Sequence, residues 1–263
     1  MRELQNLYRH RQLITALTAR DLKARYRGSV LGFFWSLANP LLLLGVYTLV
    51  FTVFFPSNRV QPYSLFLFTG ILPWTFFAAA VLESTTSVIS NAGLIKKVMF
   101  PAEALPLVVV GSHLVHFVLA LPILLLADVA FAIHGDVTMH STLLLVPFVI
   151  LLQTFFVAGI AVSVASASVL FRDLRDILTN LIQLGFFITP ILYQIDTIGS
   201  RPLRALLRLN PMTPFVVTYQ DLIFFGHLPG LADTLLMIAY AFVSLTAGFV
   251  VFDRLRDVLA EAI

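Results

Sequence analysis

The chain has 263 residues, of which 59% are hydrophobic and 12% are charged, whereas soluble domains carry about 25% charged residues. This composition excludes a conventional water-soluble enzyme. The sequence contains no cysteine, which excludes disulfides, thiolate metal sites and a cysteine nucleophile.

The first 30 residues carry seven Lys and Arg side chains. On a predicted helix, Arg20, Lys23 and Arg27 share one face beside an apolar stripe. That stripe consists of Leu13, Leu17 and Ala24. Such a helix can lie in the headgroup plane with its basic side chains toward anionic lipid. A plain positively charged flank of the first membrane span is an equally weighted alternative.

The segment 31–55 is the first predicted span. It contains no Asp, Glu, Lys or Arg across 25 residues, and at 1.5 Å per residue it can cross a hydrocarbon core of roughly 30 Å. Tyr47 and Phe51 recur within it at helical spacing. Packing in the bundle core or against lipid is the favoured interpretation of these rings. A lining along which a sugar polymer or a lipid tail slides is the alternative.

Later apolar stretches predict five more spans. Their approximate bounds are 63–82, 107–133, 142–170, 177–195 and 234–252. Pro190 interrupts the fifth stretch after only part of a membrane thickness, which fits a broken or re-entrant helix as well as a clean span. The following segment, 196–232, contains the apolar piece PFVVTYQDLIFFG, which predicts a short interfacial hairpin.

The distribution of Lys and Arg predicts the orientation. Segments on one side of the six spans carry 13 of these residues, and those on the other side carry four. Because basic residues mark the cytoplasmic side, both termini and the connector 83–106 are predicted to be cytoplasmic. Pro101 and Pro106 are expected to bracket a short helix in that connector, which favours a rigid element over an ordinary connector.

Few side chains offer chemistry of their own. No GxxxxGK[ST] phosphate loop occurs, so the chain is not expected to bind ATP in that way. His113 and His116 stand at i, i+3, but no carboxylate or third ligand lies near them in the sequence, and histidines that face other helices are the more common case. The scarcity of ionisable groups in the spans disfavours a secondary carrier. An intramembrane enzyme is disfavoured because no nucleophile–base or metal arrangement is recognisable.

Four segments together are similar to one family. They are LTARDLKARYRGSVLGFFWSLANPLL (17–42), LIKKVMFPAEALPL (94–107), LFRDLRDILTNLIQLGFFITPILY (170–193) and LNPMTPFVVTYQDLIFFG (209–226). In this order and spacing they resemble the membrane subunit of ABC-2 type exporters, in the branch that exports O-antigen, capsule or teichoic-acid polymers. The resemblance covers essentially the whole chain.

The resemblance implies the partners. It implies a homodimer that binds two separate ATPase subunits, with ATP and Mg on those subunits and no cofactor on this chain. It also implies a channel for a polysaccharide carried on undecaprenyl diphosphate, in the bacterial inner membrane. Membrane lipid is expected to contact the chain, and nucleic acid is not.

The resemblance also implies where the functional elements lie. The interface helix corresponds to 13–27. Its basic residues lie at headgroup depth and are the candidate substrate-access residues, for the pyrophosphate of a lipid-linked substrate or for lipid phosphate alone: Arg20, Lys23, Arg25 and Arg27. The coupling helix corresponds to 91–103, with ATPase-contact residues Asn91, Lys96, Lys97, Phe100, Pro101 and Glu103. The outer gate includes Pro190, Phe215 and Tyr219. The high aromatic content, and not the resemblance, gives the candidates for a channel lining: Trp35, Tyr47, Phe51, Phe187 and Tyr193.

The expected fold is therefore an all-α integral membrane protein. It has six transmembrane helices, an N-terminal amphipathic interface helix, a cytoplasmic coupling helix and outer-side re-entrant gate helices. The expected division is a cytoplasmic N-terminal region (1–30), a six-helix transmembrane domain (31–252) and a cytoplasmic tail (253–263). The expected function is polysaccharide export driven by a partner ATPase, and the alternative is an ABC-2 exporter of a drug, a lipid or a small glycolipid.

Overall fold

A computed structural model describes residues 11–25, 27, 34–54, 60–93, 101–133, 141–171 and 173–262. All regular structure in these ranges is helical, so the predicted all-α class is confirmed for them. The α-helices are α1 (Arg11–Arg25), α2 (Trp35–Leu49), α3 (Tyr63–Ser90), α4 (Ala104–Ile133), α5 (Val146–Leu170), α6 (Leu174–Ile188), α7 (Arg201–Arg208), α8 (Thr213–Tyr219) and α9 (Leu231–Ala262). Short π-helical segments extend α2 (Val50–Phe54) and α8 (Gln220–Phe225), and a 3₁₀ turn (Ser141–Leu145) precedes α5.

Helix α3 is the central element of the bundle. It packs against α2, α4, α5, α6 and α8. Its first turns are apolar all round, and four consecutive side chains, Leu65 to Phe68, are fully buried. A helix that is apolar on every face must be covered on every face, which explains why the other helices surround this one.

The two ends of α3 define the two ends of the molecule. Near its start, the Tyr63 hydroxyl donates a hydrogen bond of 2.6 Å to the Leu192 carbonyl. Twenty residues later, Glu83 pairs with Arg25 of α1. At 1.5 Å per residue the two contacts are about 30 Å apart, which is the thickness of a hydrocarbon core. We call the end of the molecule near Tyr63 the α7 end and the end near Glu83 the α1 end, after the short helix that lies at each.

Helices α5 and α9 approach each other through glycine. A Cβ atom on Gly159 would lie 2.2 Å from the backbone carbonyl of Ser244, and one on Gly248 would lie 2.3 Å from the Gly159 oxygen. No side chain fits in that space, so glycine is required at both positions. Small residues permit this close backbone contact between membrane helices.

Four described helical segments are long and apolar enough to cross a membrane: 63–90, 104–131, 141–170 and 231–256. This result confirms a protein with several membrane-capable helices. Helices α2 and α6 have 15 residues each and are shorter than these four. The six-span count therefore stays a prediction.

Several predicted boundaries differ from the structure. Helix α3 continues beyond the predicted end near residue 82 to Ser90, and α9 continues through Ala262 without a break. Pro106 lies in the first turn of α4, where proline is tolerated because the amide hydrogen is not needed. The prediction that Pro106 closes a separate helix in the connector was therefore wrong. Of that connector, Lys96, Lys97 and Phe100 lie outside the described residues.

Candidate functional site

Helix α1 lies across the start of α4. Its apolar side chains Leu13, Ile14 and Leu17 pack on Ala104 and Leu105. Thr18 sits against Gly111, where an added Cβ would lie 3.1 Å from the threonine hydroxyl. This packing brings the last turn of α1 beside α3.

The last turn of α1 is joined to α3 and α4 through Glu83. Arg25 Nε donates a hydrogen bond of 2.9 Å to Asp21, and Arg25 Nη2 donates one to Glu83. The second oxygen of Glu83 lies 2.7 Å from His113 Nε2 on α4. Burial alone would lower the pKa of Arg25, but the hydrogen bonds to Glu83 and Asp21 outweigh burial and raise it. The guanidinium is therefore held charged and fixed in direction.

A cavity of about 390 Å³ opens beside this cluster, between α1, α2, α3 and α4. Its ionisable lining residues, Arg25, His113 and His116, are all basic. Two of its aromatic walls, Phe76 and Phe117, are stacked with ring centroids 5.4 Å apart. The remaining lining residues are Trp35, Asn39, Pro40, Leu72, Thr75, Ala79 and Ala120.

The chemistry of this lining suits a ligand with an anionic group and an apolar or ring-shaped part. A guanidinium and imidazoles bind phosphate oxygens, and flat aromatic faces pack against sugar rings or isoprenoid chains. Glu83 does not line the cavity. It contacts Arg25 and His113 and so acts as a positioning residue for both.

A smaller cavity of about 230 Å³ lies on the other side of the cluster. It is lined by Arg20 and Asp21 of α1, Glu83 of α3, and Asn91 directly after α3. A predicted substrate-access residue, Arg20, and a predicted coupling residue, Asn91, thus share one cavity.

Residues 12–224 match the ABC-2 type transporter family. The chain belongs to this family. It is also similar over its whole length to the O-antigen export system permease protein RfbA of Myxococcus xanthus, with 38% identity over 264 residues and full coverage of both chains. Two permeases of the same name from Klebsiella pneumoniae are 34% and 32% identical over 250 residues, covering 95% of this chain and 94% of each relative.

In this ABC-2 membrane subunit the other predicted access and coupling residues have distinct environments. Lys23 and Arg27 are exposed at the α1 end. Pro101 precedes α4, and its carbonyl accepts a hydrogen bond of 3.0 Å from the Ala104 amide. Glu103 is only 2% exposed, so its side chain belongs to the packing of the chain itself.

The predicted channel-lining aromatics do not form one surface within a single chain. Tyr47 and Phe51 are partly buried against the core, and the Phe51 ring meets Tyr63 edge-on at 4.7 Å. Phe187 on α6 is 62% exposed. The Tyr193 hydroxyl donates a hydrogen bond of 2.7 Å to the Ile188 carbonyl. Trp35 is the one of these aromatics that lines the cavity beside Arg25.

The predicted gate lies at the α7 end, where α6 stops two residues before Pro190. The Pro190 carbonyl, which α6 does not use, accepts a hydrogen bond of 2.9 Å from the Gln220 side chain. Phe215 and Tyr219 of α8 are fully buried. The Tyr219 hydroxyl donates a hydrogen bond of 2.9 Å to Gln153 of α5. The gate candidates are thus core residues in this conformation.

The linkage between Glu83, Arg25 and His113 was not predicted from the sequence. An i, i+3 histidine pair and an acidic residue late in an apolar helix were the available signals, but 30 residues separate Glu83 from His113. No group of three metal-ligating side chains occurs within the described ranges.

Proposed function

We propose that this ABC-2 membrane subunit exports a polysaccharide, as the O-antigen export permeases do according to their names. The observation that carries the proposal is the similarity to three such permeases, one over the whole chain and two over 95% of it. An export permease of this kind moves its substrate and leaves ATP hydrolysis, with its Mg, to a separate subunit.

The substrate is proposed to be a polymer on a lipid diphosphate, such as undecaprenyl diphosphate. The cavity beside Arg25 supports this choice, because basic side chains and aromatic rings line the same space. The diphosphate would contact Arg25, His113 and His116, and the first sugar or the isoprenoid would pack against Phe76 and Phe117. Arg20, Lys23 and Arg27 would attract the anionic headgroup toward this cavity.

The energy for transport is proposed to reach the chain through the connector between α3 and α4. Because α3 ends at Ser90 and α4 begins at Ala104, a movement of the connector acts on two helices at once. Helix α3 contacts most of the bundle, so it can distribute that movement. Lys96, Lys97 and Phe100 remain the proposed contacts with the ATPase.

A homodimer is proposed from the exposed apolar faces of α2 and α6. On α6 these side chains recur at heptad-like spacing: Ile177, Leu181, Leu184 and Ile188 are all at least half exposed. Helix α2 presents a similar stripe with Leu42, Val46 and Leu49. Pairing two copies along these faces would cover both stripes and enclose a channel between them.

The α1 end is proposed to face the cytoplasm and the α7 end the outside of the inner membrane, as the excess of basic residues predicts. Both termini would then be cytoplasmic. In this orientation the cavity beside Arg25 opens toward the side where a lipid-linked polymer is made.

The proposal is tested by deleting the gene in its own organism. We expect surface polysaccharide to disappear, lipid-linked polymer to accumulate inside the cell, and both phenotypes to be reversed by the wild-type gene. Normal surface polysaccharide in the deletion strain would contradict the proposal. A selective loss of tolerance to a drug, or of a small glycolipid, would instead support the alternative cargo.

A further inference from the structure

We infer that a third cavity, between α7 and α9, binds the phosphate group of a membrane lipid at the α7 end. This cavity measures about 390 Å³. Three arginines of α7 line it, Arg201, Arg204 and Arg208. Its remaining lining residues are Ala205, Leu209 and Leu236. The inference does not depend on which cargo the transporter exports.

The sequence of α7 places its arginines on one side. Positions i, i+3 and i+7 of a helix share a face, and Arg201, Arg204 and Arg208 have this spacing. Ser200 caps the start of the helix, and its side-chain oxygen accepts a hydrogen bond of 3.4 Å from the Leu203 amide. With only eight residues, α7 would be unstable alone, so its orientation depends on its packing.

Contacts with neighbouring elements hold α7 beside α9, with its three arginines lining the cavity. The Tyr240 hydroxyl of α9 donates a hydrogen bond of 3.2 Å to the Leu209 carbonyl. Asn210 donates one of 2.8 Å to the Thr189 hydroxyl. On the opposite face of α7, Leu203 and Leu206 are 44% and 63% exposed. A short helix with arginines on one face and exposed leucines on the other suits a membrane surface.

The carboxylates near the arginines leave hydrogen-bonding capacity for a ligand. Arg204 lies 3.8 Å from Asp196, and Arg208 lies 3.5 Å from Asp233. The second of these ion pairs joins Arg208 Nε to Asp233 Oδ1, two buried atoms that make no shorter hydrogen bond within the described residues. Arg201 forms no ion pair within the described ranges. A guanidinium has five N–H donors, and each of these ion pairs is at 3.5 Å or longer, so donors remain for an anion with several acceptor oxygens.

The apolar part of the cavity restricts that anion to a lipid. Leu209 and Leu236 lie beside the guanidinium groups. On α9 the adjacent Leu235 and Ile238 are 57% and 43% exposed and continue the apolar surface away from the cavity. A ligand that fills both parts has a phosphate group and a hydrocarbon chain. Two lipids share this chemistry: an anionic phospholipid such as phosphatidylglycerol, and an isoprenyl diphosphate.

The site is tested with the purified full-length protein in nanodiscs of phosphatidylcholine containing a minor fraction of phosphatidylglycerol or of an isoprenyl diphosphate. Native mass spectrometry counts the lipids that each protein retains. We expect the wild type to retain one anionic lipid per chain. We expect the variant Arg201→Gln/Arg204→Gln/Arg208→Gln to bind it at least about tenfold more weakly, because the bidentate contacts are lost.

Two further variants keep the test independent of folding. Arg201→Gln alone disrupts no ion pair, and we expect it to weaken lipid retention while leaving thermal stability unchanged. The triple lysine variant keeps the charge but loses the planar donors, and we expect intermediate retention. Preferential retention of phosphatidylglycerol assigns the site to membrane phospholipid, and preferential retention of the diphosphate assigns it to a lipid carrier. Equal retention by the wild type and the triple glutamine variant would overturn the inference.

Discussion

Glu83 Oε2 lies 2.7 Å from His113 Nε2, and the other oxygen of the same carboxylate accepts a hydrogen bond from Arg25. One carboxylate thus connects the amphipathic helix α1 to two long helices of the bundle. Through these contacts it also fixes two basic groups, Arg25 and His113, on the wall of the cavity between α1, α2, α3 and α4.

Replacing Glu83 by Gln should destabilise the α1 end. The neutral amide keeps the volume of the side chain but no longer compensates the charge of Arg25, which is partly buried. We expect a loss of about 1–2 kcal/mol in the free energy of unfolding, measured by thermal or denaturant unfolding in detergent. Asp173→Asn, at an exposed position before α6, is the control and should have little effect. An unchanged unfolding curve for Glu83→Gln would show that the pair does not stabilise this end.

Replacing His116 by Gln tests the proposed binding role of the cavity beside Arg25. The imidazole lines the cavity, whereas Glu83 pairs with its neighbour His113. We therefore expect this variant to restore less surface polysaccharide to the deletion strain, while its thermal stability falls less than that of Glu83→Gln. His227→Gln, at the α7 end, is the matched control. Full complementation by His116→Gln would exclude a binding role for this ring.

Tyr219→Phe should destabilise the core more than its small change in volume suggests. The lost hydroxyl leaves Gln153 Oε1 buried without its donor, while Gln153 Nε2 still donates to the Pro73 carbonyl at 2.8 Å. We expect a loss of about 1–3 kcal/mol. Tyr193→Phe removes a more exposed hydroxyl and should have a smaller effect. In a double-mutant cycle with Gln153→Leu, a coupling energy of zero would contradict the assignment.

Gly248→Ala should weaken the contact between α5 and α9. The added methyl group would lie 2.3 Å from the Gly159 carbonyl oxygen, so the helices must separate, at a cost of about 1–3 kcal/mol. Gly45→Ala is the control, because nothing lies within 4 Å of its added methyl group. We expect the midpoint of thermal unfolding to fall for Gly248→Ala only. A normal midpoint for this variant would mean that the two helices can move apart freely.

Asp221 should make the stability of the α7 end depend on pH. Burial, and then repulsion from Asp233, raise the pKa of Asp221 to about 6. The charged groups that influence it are Asp196, Asp233, His227 and Arg208. A carboxyl group with a raised pKa favours the folded state while it is protonated. The contribution of Asp221 to the free energy of unfolding is therefore complete at pH values below the ordinary pKa of an aspartate. It is lost as the pH rises through about 6.

We expect wild-type thermal stability to fall by the equivalent of about 1–3 kcal/mol between pH 4 and pH 7 from this group. Asp221→Asn should lose that part of the pH dependence, because the amide does not ionise. Asp173→Asn, at an exposed position before α6 and not among the groups that influence Asp221, is the control and should retain it. Parallel pH profiles for the wild type and Asp221→Asn would contradict the prediction.

Sequence patterns predicted most of the helical fold but misplaced some helix ends. Hydropathy located the fourth apolar stretch, 142–170, within one residue of the observed 141–170 segment. It ended the second span near residue 82, because Glu83 and several Ser and Thr residues follow. In the structure α3 continues through these residues to Ser90. The Ser and Thr hydroxyls donate hydrogen bonds to backbone carbonyls one turn earlier, as the Ser84 hydroxyl does to the Ala80 carbonyl.

The sequence by itself determined that this is a helical membrane protein with basic residues concentrated at one end. Both properties depend on local composition and on the distribution of charge along the chain. The tertiary structure decided which side chains meet. Arg25 and Glu83 are 58 positions apart, and the cavity between α7 and α9 combines residues on either side of α8. No local pattern encodes such pairs, because they depend on how separate helices pack around α3.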